Sequence, residues 1–197
     1  MLTLLADRSL DSLSLREIAR EAGITPTAFY RHYHDVEELG LVLVEESFRS
    51  LARTMQIAGT HLTSAEGAVE RSLEVVVGYR YDHMSHLRFI VRERDGGLRR
   101  VRRAIASRLQ LMADEVAVGL AGGPGRAGWS VEDRRALAGL ITETFMRMLA
   151  DLLAADPGDE TDIVERTRRR LRVIGVGGTA SGGAPHSGDG NEPMDGR

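Results

Sequence analysis

The chain has no cysteine and no lysine, and all 26 of its basic residues are arginine. Without cysteine there is no disulfide scaffold, thiol nucleophile, zinc ribbon or thiolate-held iron–sulfur cluster, and the composition suits a reducing compartment. Without lysine there is no Schiff-base amine and no phosphate-loop ammonium. Aromatic residues make up only 5% of the sequence. No window nears the roughly 18 to 20 uninterrupted apolar residues of a membrane helix. Met1-Leu-Thr-Leu-Leu5 lacks the basic start and long apolar core of a signal peptide, so a soluble, cytoplasmic protein with no membrane partner is expected. Runs of β-branched residues are nearly confined to Val75-Val76-Val77, which leaves helix as the favoured state almost everywhere else and an all-α fold class.

What is present supports a real core. The chain has 197 residues, 42% hydrophobic and 28% charged, enough for one medium domain or two small ones. Its charge is uneven. Residues 1–46 carry 4 arginines and 9 carboxylates, a balance of −5, whereas Arg88 to Arg103 holds 7 arginines against Glu93 and Asp95.

Ser14-Leu-Arg-Glu17 has the form of a capping box and predicts a helix from Leu15 to about Ala22, ended by Gly23. Thr25 is a second N-cap, with Pro26 at the first helical position, and the next helix is predicted over Pro26 to Tyr33. Ile18, Ala19, Ile24 and Phe29 are expected to lock the pair into a helix-turn-helix. Asp35 with Glu38 starts a third helix through Leu39, Val42, Phe48 and Leu51 towards Gln56. Ser64 is a plausible cap for a helix with Val69, Leu73, Val76 and Val77 on one face, weakened in its middle by Gly78. A short helix over Leu87 to Val91 precedes the Asp95-Gly-Gly97 break. A long amphipathic helix follows, carrying Leu98, Val101, Ile105, Leu109, Met112, Val116 and Leu120. Gly122 to Gly128 is predicted as a loop, and Ser130 with Asp133 caps a helix whose apolar face comprises Leu137, Leu140, Ile141, Phe145, Met148, Leu149 and Leu152. Pro157-Gly158 ends that helix, and a last one runs from about Glu160 to Ile174 with 5 arginines between Arg166 and Arg172. Of the last 23 residues 8 are glycine, so disorder is expected from Gly175 onward.

Leu13-Ser-Leu-Arg-Glu-Ile-Ala-Arg-Glu-Ala-Gly-Ile24, Thr25-Pro-Thr-Ala-Phe-Tyr-Arg-His-Tyr-His34 and the following Asp35-Val-Glu-Glu-Leu39 resemble the TetR family of bacterial transcription regulators. A weaker likeness, through Ala6-Asp-Arg-Ser-Leu-Asp-Ser-Leu-Ser-Leu15 and Leu87-Arg-Phe-Ile-Val-Arg-Glu-Arg-Asp-Gly96, is to the FabR/DesT-type branch, which controls unsaturated fatty-acid synthesis and responds to acyl thioesters. The resemblance implies a three-helix DNA-binding head over residues 1–46, a helical ligand-binding and dimerisation domain over 47–175, and a disordered tail over 176–197. Family members have a basic arm and most of a first helix before the position of Leu4-Leu5-Ala6, so the first helix is cut short here and an arm, if encoded, lies upstream of Met1. Val36 stands where many relatives carry a lysine near a DNA phosphate.

By the same resemblance Pro26 and Thr27 contact bases, Arg16 reaches a guanine, and Ser14, Tyr30, Arg31 and His32 contact phosphates, with Thr25 joining them or only capping its helix. The bland alternatives stand beside these roles: Ser14 also caps a helix, Arg16 also pairs with acids, and Phe29 is core. The implied partners are a palindromic DNA duplex, a second copy of the chain, and a hydrophobic effector of acyl-CoA type. Tyr79, Met84, Phe89, Ile90, Leu109, Met112, Phe145 and Met148 would line the effector pocket, or are plain core. The arginines of Arg88 to Arg103 would hold its phosphates, or are a solvated face. No cofactor and no metal are expected. His83 and His86 share helical spacing, but there is no H-E-x-x-H and no G-x-S-x-G, so an enzyme is not expected. Control of drug efflux, or a ligand-binding dimer with impaired DNA binding, remain the alternatives.

Overall fold

The computed structural model describes residue 5 and residues 8–58, 65–121, 128–156 and 158–181. Their regular structure is entirely helical. A 3-10 turn at Leu10–Ser12 leads into α1 (Leu15–Glu21), α2 (Pro26–Phe29), α3 (Val36–Ala58), α4 (Ala65–Glu93), α5 (Arg99–Leu120), α6 (Val131–Ala154) and α7 (Glu160–Ser181).

The helix starts follow the side chains that end them. At Ser14 both halves of the capping box form, the serine oxygen accepting the Glu17 N–H and the Glu17 carboxylate accepting the Ser14 N–H. Ser130 and Asp133 repeat that exchange at the start of α6. Asp35 accepts the Glu38 N–H at 2.7 Å, while Glu38 reaches back to the His34 N–H. The end of α1 is a Schellman turn. Gly23, at φ +66°, donates to the Arg20 carbonyl, and Ile24 donates to Ala19 at 2.9 Å.

Several expectations shift. Regular α-helix in the second helix ends at Phe29, four residues before Tyr33, because the Arg31 and His32 amides bond three residues back and tighten the chain into 3-10 turns. Gly78 stays helical. The break in α4 falls instead at His83, whose φ of −132° and ψ of 32° leave the helical region, so the predicted short helix over Leu87 to Val91 is the distal arm of one kinked helix. α3 runs unbroken across the 46/47 boundary, so head and body share it. α7 continues past Ile174 to Ser181, which makes the first residues of the expected tail helical. Ser64, most of the Gly122 to Gly128 loop, Pro157 and residues 182–197 lie outside the described residues.

In the body α5 packs on α6 and α6 on α7, while α4 lies against α3, α6 and α7. One apolar cluster runs from Leu10, Leu13, Ile18 and Phe29 in the head through Leu43, Phe48, Val76, Phe89 and Ile105 to Leu149 and Leu171. Three residues expected on inner faces are exposed instead. Ile24 is 40%, Val42 44% and Leu140 57% exposed, since the glycine corner turns Ile24 outward and the other two fall on the outer edges of broad apolar faces.

Gly40 marks a close approach of head to body. A Cβ there would stand 2.6 Å from both Leu10 Cδ2 and Val101 Cγ2, closer than carbon atoms pack. Gly40→Ala is therefore expected to destabilise the protein by about 1–3 kcal/mol through overpacking, read from the urea unfolding midpoint. An unchanged midpoint would mean that Leu10 and Val101 have room to give.

Candidate nucleic-acid interface

The eight residues expected at the DNA surface, Ser14, Arg16, Thr25, Pro26, Thr27, Tyr30, Arg31 and His32, are all exposed. Two are occupied by local structure. The Ser14 hydroxyl donates to Glu17 Oε2 at 2.7 Å as well as accepting its amide, and Thr25 Oγ1 accepts the Ala28 N–H at 3.1 Å. Both therefore set helix starts first, and a DNA contact from either would use lone pairs the cap leaves over. Pro26 and Thr27 occupy the first turn of α2, where orphan backbone amides point forward.

Phe29 anchors the reading helix. It is 1% exposed and stacks edge-on against Tyr30, with ring centroids 5.9 Å apart, and against Tyr33 at 5.3 Å. This leaves Tyr30 standing clear, 62% exposed. Val36 is partly buried against the core and cannot replace a phosphate-binding cation.

The acidic balance of the head resolves once its partners are seen. Glu17 pairs with Arg8 at 2.8 Å, Glu37 with Arg100 of α5, and Glu45 with Arg108 of α5. Asp35 and Glu38 are engaged at the start of α3. Among the described residues no ion pair holds Arg16, Arg20 or Arg31. The cations on this surface thus stay available while most of the carboxylates do not. The Arg8 guanidinium, then the Ser14 amide and hydroxyl, hold the Glu17 carboxyl down at about 2.

Residues 2–41 match the family described as bacterial regulatory proteins, tetR family. The matched segment covers the α1–α2 pair and the start of α3. The fold of the whole chain agrees: a TetR family transcriptional regulator from Chloroflexus aurantiacus J-10-FL superposes with a TM-score of 0.61 at 15% identity, over 89% of this chain and 86% of that one. At that identity the likeness is one of fold. Both likenesses are to transcription regulators of TetR type.

The residues proposed for an effector pocket divide. Tyr79, Phe89, Ile90, Leu109 and Met148 are buried in the common core with Met112 and Phe145 packed against it, and Met84 is half-buried. A polar cluster lies beside them, between α3 and the kink of α4, in which sequence reasoning named Tyr79, His83 and His86 but missed Ser47 and Ser50. His86 Nδ1 shares a hydrogen bond with the Ser47 hydroxyl at 2.9 Å, and His83 Nδ1 with Ser50 at 3.4 Å. The Tyr79 hydroxyl donates to the Ser47 carbonyl, and its ring stacks on His83 at 4.5 Å. Burial lowers the pKa of His86 against the opposing pull of Glu46, and burial raises that of Tyr79. Ser47, at an apolar register position between Val44 and Phe48, was the available signal. Arg20, exposed in the last turn of α1, is a second missed candidate on the head.

A carboxyl pKa this low has a defined sign. Pairing of Glu17 steadies the head at pH above the ordinary value of 4.5 and is lost as pH falls towards about 2. Arg8→Gln or Ser14→Ala should raise the Glu17 value towards 4.5 in an NMR titration, and Ser14→Ala should also cost about 1 kcal/mol of head stability through the lost cap. A Glu17 titration unmoved by either change would remove both partners from the account.

Proposed function

We propose that this chain is a TetR-type transcription regulator that binds a palindromic duplex as a homodimer, with Pro26 and Thr27 against thymine methyls, Arg16 on a guanine edge, and Ser14, Tyr30, Arg31 and His32 on phosphates. Thr25 contributes chiefly by capping the reading helix. The observation that carries the reading is that Arg16 and Arg31 stand exposed without an ion pair among the described residues, on a head whose acids are largely engaged elsewhere. A two-fold arrangement is supported by apolar side chains left outward on the last two helices, Leu140 on α6 and Val173 on α7, 57% and 66% exposed.

For the effector, a hydrophobic acyl chain with a polar head is the reading the body supports best. Met112 and Met148 adapt to flexible alkyl groups, and Tyr79, His83 and His86 offer hydrogen bonds at one end of the same core. The arginine-rich segment contributes less than its composition implies. Arg94 pairs with Glu143, Arg100 with Glu37, and Arg102 holds the Gly96 carbonyl, leaving Arg99 and Arg103 as exposed guanidinium groups for a CoA phosphate. Control of fatty-acid or lipid genes follows from that ligand class.

Selection from random duplexes with the full chain should enrich a palindrome, and Arg31→Gln should then reduce the log–log salt slope of binding by about one while Arg16→Ala costs about 1–3 kcal/mol and relaxes one base position. Absence of enrichment, or a monomer by sedimentation at micromolar concentration, would overturn the dimeric DNA reading. For the ligand, dye displacement by acyl-CoA should exceed that by planar cationic drugs, and joint replacement of Arg99 and Arg103 by Gln should weaken acyl-CoA more than free fatty acid. Equal losses for both would reject the phosphate role, and preference for the drugs would indicate an efflux regulator.

A further inference from the structure

Where the head meets the body, Glu93 closes α4 at a position that helical spacing would give to an apolar residue. Phe89 and Ile90, four and three residues earlier, are buried, and Glu93 itself is only 1% exposed. Its Oε1 accepts the Leu10 N–H at 2.7 Å, tying the short helix of the head to the body across 83 residues of sequence. Its Oε2 is buried with no hydrogen-bond partner.

The turn that follows is shaped around this group. A Cβ on Gly96 would stand 2.7 Å from Glu93 Oε2, and one on Gly97 would run into the Asp11 carboxylate. The two glycines of the Asp95-Gly-Gly97 break thus leave room for two acids, one from the body and one from the head. Arg102 of α5 fixes the turn by donating to the Gly96 carbonyl at 2.5 Å, and the Arg100 amide donates to Glu37 of α3 at 2.9 Å. The charged groups around the joint are therefore Asp11 on the short helix, Arg92 beside Glu93 on α4, Arg100 and Arg102 on α5, and Glu37 on α3.

A carboxylate enclosed in this way, with one oxygen unsatisfied and a like charge nearby, is held at a cost that a proton would remove. The Leu10 bond survives that proton, because Oε1 remains an acceptor. We infer that Glu93 is a proton-operated latch between the body and the head, whose closed, buried state is most stable when the carboxyl is protonated and loosens as its charge builds. It is a positioning residue, acting on the head through Leu10. The direction of its pKa agrees. Burial raises it above 4.5, the Leu10 bond opposes, Asp11 adds to the rise, and Arg92 subtracts from it. With the docked value raised, the latch is fully made below the ordinary carboxylate range and weakens as pH rises through the docked value.

Hydrogen exchange over the segment containing Leu10, measured on the full chain from pH 5 to 8 and corrected for intrinsic chemistry, tests this directly. Protection of the wild-type segment should fall by about tenfold across that range. Glu93→Gln, which keeps an acceptor and carries no charge, should stay protected throughout. Asp11→Asn, by removing the like charge, should move the fall to lower pH and keeps the test alive if the Gln variant fails to fold. Identical pH dependence in wild type and Glu93→Gln, or an unmoved profile in Asp11→Asn, would overturn the latch. The measurement involves no DNA, so its failure is distinct from failure of the regulatory reading.

Discussion

The constraint on which everything else depends is that the head cannot bury enough apolar surface by itself. A seven-residue helix and a four-residue helix joined by a glycine corner are far below the size at which a core stands alone. The head persists because Leu10, Leu13, Ile18 and Phe29 belong to the same cluster as Val44, Phe48, Val101 and Ile105. This sharing makes the head's position a property of the body. The helix α3 crosses between them without a break, and Gly40 on that helix admits Leu10 and Val101 at a distance that any side chain would forbid.

Charge follows the same division of labour. The net acidity of the first 46 residues argues at first against a polyanionic partner. In the folded chain, however, Glu37 and Glu45 are matched by arginines of α5, Glu17 by Arg8, and Asp35 and Glu38 by backbone amides at a helix start. These contacts hold the head to the body and cap its helices, and they leave Arg16 and Arg31 to face outward. The arginine-rich stretch around α5 reads accordingly as half structural: Arg94, Arg100, Arg102 and Arg108 each have a partner that fixes an element in place.

Two of the buried polar groupings described in the body sit at discontinuities. The kink at His83 lies against Ser50 and beside the His86–Ser47 bond, while the α4–α5 turn lies over Glu93 and Asp11. Buried polar groups are retained where they fix geometry that apolar packing alone leaves adjustable. Both sites border α3 or the short helix before α1, the two segments that join the head to the body.

The amino-acid sequence alone determined the helix starts, because Ser14 with Glu17, Thr25 with Pro26, and Ser130 with Asp133 act within a single turn, and it determined the corner at Gly23, where only local backbone freedom is at stake. The likeness of the head to the TetR family was legible for the same reason, since the matching motif is one contiguous segment. The apolar faces were legible to within their edges: Leu73, Val76, Val101 and Ile105 are buried as their spacing predicts, but Ile24, Val42 and Leu140 are not, because periodicity gives the direction of a face and not its width. Only the tertiary structure decided which acids are engaged, where α4 bends, and that Glu93 meets Leu10. Each of these depends on groups brought together from distant parts of the chain, and pairing of that kind is fixed by packing rather than by any local rule of spacing.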